Sequence, residues 1–304
     1  MIPKWNVVFM GTPSFAIPVL EKLIEKEKVV AVYTQPDRPR GRGQKTLPSP
    51  IKEMAQKYHI PCFQPPHFKA ASTVEELKSL HPDLIVVIAY GLFLPKNILD
   101  IPLYKTLNVH PSLLPKYRGA APIQWALMNG DPQTGVTILY VTPKMDAGDL
   151  LLQKKIEILE EDTSDSLQAK LSILGADLLI ETIFGLKNNS LSPIPQNPKF
   201  VSQAPKLSKE MGHIDWSKPA RTLFNLIRGA NPWPGTTTFL ENEPLKIHNA
   251  KVTDETFQGK AGKIHSLTDE GIEVETPKGL LLLTEVQKPN KRKMKASEFL
   301  KGQK

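Results

Sequence analysis

Three short apolar runs set the strongest limit on the fold: Asn6 to Met10 (NVVFM), Val29 to Tyr33 (VVAVY) and Leu84 to Ala89 (LIVVIA). Each has strand length, and each is continuous rather than alternating, as expected for strands buried on both faces of a sheet. Amphipathic segments lie between them, from about Ser14 to Glu25 and from about Pro50 to Tyr58. Strand runs joined by helices predict a parallel, doubly wound α/β sheet of Rossmann-like type. Leu107 to Val109 and Gly135 to Val141 (GVTILYV) are further strand candidates. Ser164 to Ile183 reads as an amphipathic helix opened by a cap at Thr163 or Ser164.

The pattern changes near Lys187. The stretch NNSLSPIPQNPKFVSQAPKLSK is rich in Pro, Ser and Asn and has neither helical nor strand period, so it reads as a linker. A helix at about Ala220 to Gly229 follows it. Short strands come next, at Thr236 to Leu240, Leu245 to Ala250, Gly262 to Ser266, Gly271 to Thr276 and Gly279 to Val286. Close spacing with Gly and acidic turns predicts a small β-barrel of OB-like form. The expected organisation is a catalytic domain over 1–188, a linker over 189–208 and a C-terminal β-barrel domain over 209–304, consistent with a 304-residue chain.

Composition excludes several classes. With 40% hydrophobic and 23% charged residues the chain has material for a core. No apolar run reaches the roughly 18 residues of a membrane span, and the N-terminus has no secretory or transit pattern, so a cytoplasmic location with no membrane partner is expected. Cys62, the only cysteine, rules out an internal disulfide and thiolate clusters; in YHIPCFQPP it reads as the end of a short buried strand. The net charge of +8 points toward a polyanionic partner. Its placement is more telling: Arg38, Arg40, Arg42, Lys45 and Lys52 cluster after the second strand, and Lys288, Lys291, Arg292, Lys293 and Lys295 near the end.

Ligands of a doubly wound sheet bind beyond the carboxyl ends of its strands. Those ends carry Gly11-Thr12-Pro13, Thr34-Gln35-Pro36-Asp37, Tyr90-Gly91 and Asn108-Val109-His110. The first supplies neither a dinucleotide fingerprint nor a phosphate loop, and Pro13 removes a backbone donor, so it reads as a tight strand-to-helix turn. Asn108 and His110, two apart on a strand, share a face. Asp146 follows in PKMDAGDLL. An amide to stabilise an oxyanion, an imidazole to move protons and a carboxylate to orient the imidazole suit acyl transfer between nitrogens.

The segment NVHPSLLPKYRGAAPIQWALMNGDPQTGVT followed by PKMDAGDLL resembles the folate-dependent formyltransferase family. With FMGTPSFA, TQPDRPRGRGQKTLPSPIK, VVIAYGLFLPKNIL, APKLSKEMGHIDW and IRGANPWPGT, the likeness runs along almost the whole chain and is to the branch acting on methionyl-tRNA. Two residues depart from the common pattern: Pro111, after His110, and Pro205, before Lys206.

The resemblance implies a catalytic set of Asn108, His110 and Asp146. It also implies a folate site lined by Ala89, Tyr90, Gly91, Leu92, Ser112, Leu113, Leu114 and Pro115. The implied donor is 10-formyl-tetrahydrofolate, with no metal, and the implied acceptor is initiator methionyl-tRNA, bound by a monomer. Arg38, Arg40, Arg42 and Lys45 in the glycine-containing loop, with Arg42 foremost, and Lys206 in the linker are the expected RNA contacts. A formyltransferase acting on a small amine, such as an amino-nucleotide sugar or glycinamide ribonucleotide, is the competing reading.

Overall fold

The computed structural model describes residues 3–40 and 45–301. The chain divides into two compact units. One takes in the residues up to 119 with 135–156 and 168–203; the other takes in 120–134, 157–167 and 204–304. No helix among the described residues is long and apolar enough to cross a membrane.

The first unit is built on seven strands: β1 Asn6–Gly11, β2 Lys28–Tyr33, β3 Cys62–Phe63, β4 Leu84–Ile88, β5 Thr106–His110, β6 Gln133–Tyr140 and β7 Leu150–Glu157. Their order in the sheet is β7-β6-β5-β4-β1-β2-β3. From β3 to β5 all pairs are parallel. Helices Ile17–Lys26, Pro50–Lys57 and Ala71–Ser79 make the crossovers between β1, β2, β3 and β4. The continuous apolar runs have the predicted cause: Val7, Val8, Phe9 and Met10 of β1 are all fully buried. At about 1.5–3 kcal/mol per large apolar side chain, such strands dominate the core's stabilisation.

Local signals explain the helices. Ser49 caps Pro50–Lys57 by accepting from the Lys52 amide at 3.0 Å. Thr163 and Ser166 each accept from the other's amide in front of Ser164–Lys187, at 3.3 and 3.0 Å. The first helix begins later than its pattern predicts, because Ser14–Ala16 forms a 3₁₀ turn before Ile17. A Cβ at Gly175 would meet Val109 Cγ1 at 2.9 Å, so glycine lets the long helix approach the strand that carries the site.

The sheet is mixed rather than purely parallel. β6 runs antiparallel to β5, pairing Asn108 with Leu139 and His110 with Thr137. Residues that start β6 therefore stand at the carboxyl end of β5, where the predicted site residues lie.

In the second unit, strands Thr236–Leu240, Glu243–Asp254, Leu280–Gln287, Ile272–Glu275 and Ile264–Leu267 neighbour one another in that order, with Met294–Lys295 added along Leu280–Gln287. All pairs are antiparallel. Glu241 and Asn242, at φ +49° and +67°, form the two-residue turn that joins the first pair. Glu243–Asp254 is longer than its apolar pattern predicts, and register shifts along it mark where it bends. Helix Ala220–Ala230 contributes Leu223, Phe224 and Ile227 to a core with Ile247, Leu281 and Leu283.

Candidate active site

β5 delivers Asn108 and His110 to one place, and the loop after β6 returns Asp146 to both. Asn108 Nδ2 donates to Asp146 Oδ1 at 3.3 Å, and His110 Nδ1 lies 3.6 Å from the same oxygen. Asp146 Oδ2 accepts from the Gly119 amide at 2.9 Å. The imidazole is buried and the carboxylate is 12% exposed. All three residues expected to do chemistry are thus brought together.

The structure adds a partner that orients the imidazole. His110 Nε2 is 2.9 Å from the carbonyl oxygen of Tyr117. A carbonyl only accepts, so Nε2 carries a hydrogen. In the neutral ring Nδ1 is then the bare nitrogen, and it faces the carboxylate; when the ring is charged, Nδ1–H points at Asp146. The tautomer is set by a main-chain carbonyl, and the proton that can move sits on Nδ1.

The Ser112–Pro115 turn is fixed from within the unit. Thr137 Oγ1 donates to Ser112 O at 2.6 Å and accepts from the Leu114 amide at 3.1 Å, while Gln153 Nε2 donates to Leu114 O at 2.7 Å. Ser112 is fully buried, its hydroxyl donating to Lys116 O at 2.6 Å, and Leu114 packs with Leu139 and Leu150. Both side chains are occupied in shaping the turn. Leu113 and Pro115 are partly exposed and are the ones that can meet a ligand.

The turn after β4 lies beside β1, where the sheet order switches direction. Ala89 and Gly91 adopt φ +47° and +83°, turning the backbone sharply on both sides of Tyr90. Tyr90 O accepts from Thr12 Oγ1 at 2.9 Å and from Gln35 Nε2 at 3.2 Å, joining the ends of β1, β2 and β4. The Tyr90 ring is buried, its hydroxyl has no partner among the described residues, and burial pushes its pKa up. Ala89 and Gly91 are exposed and Leu92 partly so. Thr12 sits in the tight turn that Gly11-Thr12-Pro13 predicts.

The basic loop has more order at its root than a glycine-containing loop suggests. Arg38–Arg40 pairs antiparallel with Lys45–Leu47, aligning the backbones of Arg40 and Lys45. Arg38 is exposed and donates to Gln35 Oε1 at 2.8 Å. Asp37 accepts from Lys52 at 2.5 Å and from Gln64 at 2.8 Å, contacts that hold its carboxyl below the usual range. Arg42 lies outside the described residues. Lys206 is exposed in the second unit. Cys62 occupies β3, half-buried, and desolvation pushes its thiol pKa up, which suits a packing role.

The family model for formyl transferase matches residues 5–183, and that for the formyl transferase C-terminal domain matches 206–304. A methionyl-tRNA formyltransferase of Geotalea daltonii is 46% identical over 300 residues, covering 98% of this chain and 96% of the relative. The chain belongs to the methionyl-tRNA formyltransferase family. Among solved structures, HypX from Aquifex aeolicus in complex with tetrahydrofolic acid is similar with a TM-score of 0.67 at 21% identity. The match covers 98% of this chain and 47% of that longer one. An N-formyltransferase from Helicobacter canadensis with folinic acid and dTDP-3-aminofucose gives a TM-score of 0.67 at 19% identity, covering 92% and 99%. At such identities these two structures speak to the fold alone.

Some site residues of this methionyl-tRNA formyltransferase family member left no mark in the sequence. Tyr117 acts through a carbonyl, Gly119 through an amide, and Thr137 and Gln153 through single hydrogen bonds from neighbouring strands. Gln196 lies in the Pro-rich stretch read as a linker, yet it reaches the main chain on both sides of Ala147. Tyr117, Arg118, Gly119 and Thr137 fall inside a motif already singled out, which is the one cue that pointed near them, though not to their roles.

Proposed function

We propose that the protein transfers the formyl group of 10-formyl-tetrahydrofolate directly to the amino group of methionine on initiator methionyl-tRNA. The observation that carries the reading is the convergence of Asn108, His110 and Asp146 at the carboxyl end of β5, in a chain of this family. The amine attacks the formyl carbon, a tetrahedral intermediate forms, and the folate nitrogen leaves after gaining a proton. Asn108 Nδ2, held by one long bond to Asp146, donates to the developing oxyanion. His110 Nδ1 and Asp146 together receive the amine proton and return it to the leaving nitrogen.

In this reading the folate lies along Ala89–Leu92 and the Ser112–Pro115 turn, with Leu113 and Pro115 as side-chain contacts. Arg38, Arg40, Arg42 and Lys45 approach the acceptor end of the RNA, and Lys206 with the basic C-terminal region contacts its phosphates. The functional division is a catalytic domain over 1–188, a linker over 189–208 and an RNA-binding domain over 209–304, acting as a cytoplasmic monomer. The experiment offers 10-formyl-tetrahydrofolate with charged initiator methionyl-tRNA, free methionine or an amino-nucleotide sugar. Transfer to the RNA alone supports the reading; transfer to a small amine, or hydrolysis of the donor, overturns the RNA assignment and keeps the folate chemistry.

A further inference from the structure

Asp146 has its backbone in the left-handed region, at φ +49°, which Asp enters more readily than most residues with a Cβ and keeps where its surroundings fix it. Its carboxylate takes one bond from the Gly119 amide. Its main chain is held by Gln196, whose Nε2 donates to Asp146 O at 2.8 Å and to Gly148 O at 2.7 Å. Two hydrogens on one nitrogen meet two carbonyls, so the amide is saturated on that side. On the other side, Gln196 Oε1 accepts from Arg118 Nε at 3.0 Å and Nη2 at 2.7 Å. Arg118 is buried, and its amide donates to Ser202 O at 2.9 Å.

Three consecutive residues therefore each hold one part of the site. The Tyr117 carbonyl takes His110 Nε2, the Arg118 guanidinium grips Gln196, and the Gly119 amide takes the Asp146 carboxylate. We infer that Gln196 and Arg118 are positioning residues that set the aim of the Asp146 carboxylate toward Asn108 and His110. Neither touches the reacting atoms. They fix the backbone on both sides of Ala147, and with it the direction of a side chain that must meet two partners at once. The inference rests on the catalytic reading of Asp146.

The test compares Gln196→Ala, Gln196→Glu and Asp146→Asn in the full-length protein, measuring formyl transfer to methionyl-tRNA per folate-binding site. Gln196→Glu keeps oxygens for Arg118 and loses the hydrogens that the two carbonyls need. Loss of a tie that serves only the fold lowers unfolding stability and leaves kcat per folded, folate-binding molecule unaltered, whereas loss of a positioning residue lowers that kcat. Both Gln196 variants are expected to lose about 10- to 100-fold in kcat, as small misplacements of reacting groups do, with KM for folate and RNA within about threefold of the unaltered protein. Gln196→Glu turning over within about twofold of the unaltered protein, while Asp146→Asn is inactive, overturns the inference and leaves the reading of Asp146 intact. Near-normal turnover by Asp146→Asn overturns both. Should Gln196→Ala fail to fold, Gln196→Glu still decides.

Discussion

The carbonyl oxygen of Tyr117 accepts a hydrogen bond from His110 Nε2 at 2.9 Å, and this leaves Nδ1 as the nitrogen that faces Asp146. A ring so held can exchange a proton only on its Nδ1 side. His110→Ala is expected to lower kcat by about 10²- to 10⁴-fold, the range for a lost acid–base group. Asn108→Ala is expected to fall in a similar range, about 10²- to 10³-fold, as an oxyanion donor does. Steady-state formyl transfer with folate affinity measured in parallel checks both. Near-normal kcat in either variant removes that residue from the mechanism.

Gly148 sits two residues beyond Asp146, and a Cβ built there meets Tyr140 O at 1.8 Å, a distance no side chain tolerates. Tyr140 O belongs to β6 and cannot move aside cheaply, so the loop must shift instead. Gly148→Ala is expected to cut kcat by about 10-fold or more through displacement of Asp146, with little change in RNA affinity. A filter-binding titration beside the turnover assay separates the two effects. Equal loss of RNA binding shows that the damage is global.

The proposed function gives Arg38 and Arg42 a grip on the RNA rather than a part in the chemistry. Arg38 lies at the root of the ribbon, tied to Gln35, whose amide in turn reaches Tyr90 O. Arg42→Ala and Arg38→Ala are each expected to raise KM for methionyl-tRNA while leaving folate affinity unaltered. Each phosphate contact removed makes the salt dependence of RNA binding shallower by about 0.7 to 0.9 in the log–log slope. An unchanged slope in both variants assigns the ribbon some other role.

How far the residues announced this arrangement depended on what each group does. β1, β2 and β4 were legible because burial on both faces leaves an unbroken apolar run. Asn108, His110 and Asp146 were legible because their contacts with one another are made by side chains. The direction of β6 was not legible, since an apolar strand carries no polarity in its composition. Gln196 was hidden because its partners are carbonyls 50 and 48 residues away, and such pairing needs no local pattern. Tyr117 was hidden for a simpler reason: its contribution at His110 is an atom that every residue possesses. Helix and strand ends shifted where backbone events intervened, as at the 3₁₀ turn Ser14–Ala16.

Glu27 and Lys187 form an ion pair at 2.5 Å with both side chains less than a tenth exposed. Glu27 also accepts from the Trp5 amide at 2.7 Å, and Lys187 lies 5.1 Å from the centre of the Trp5 ring. The pair fastens the chain before β1 to the end of the long helix. Lys187→Met leaves a buried carboxylate without its counter-charge, which is expected to cost about 3–5 kcal/mol of unfolding free energy. Urea titration of the full-length protein reads this directly. A loss below about 1 kcal/mol shows that water replaces the lysine.

Glu275 offers a pH-dependent contribution in the second unit. Its carboxylate is nearly enclosed; the Lys260 amide donates to it at 2.8 Å, and Lys263 and His265 approach at 3.2 and 3.4 Å. The amide bond first, then the hydrogen bonds from Lys263 and His265 and the charge of Lys263, hold its pKa below the ordinary glutamate value. A carboxylate with a depressed folded-state pKa adds stability that is fully present above the unfolded value, about 4.3, and is lost as pH falls toward the folded one. Glu275→Gln removes that dependence. The difference in urea midpoint between the unaltered protein and Glu275→Gln is therefore expected to be constant from about pH 7 to pH 5 and to shrink below about pH 4.3. A difference that instead widens on acidification means the carboxyl is destabilised as an anion, and the Lys260 amide, Lys263 and His265 fail to offset its burial.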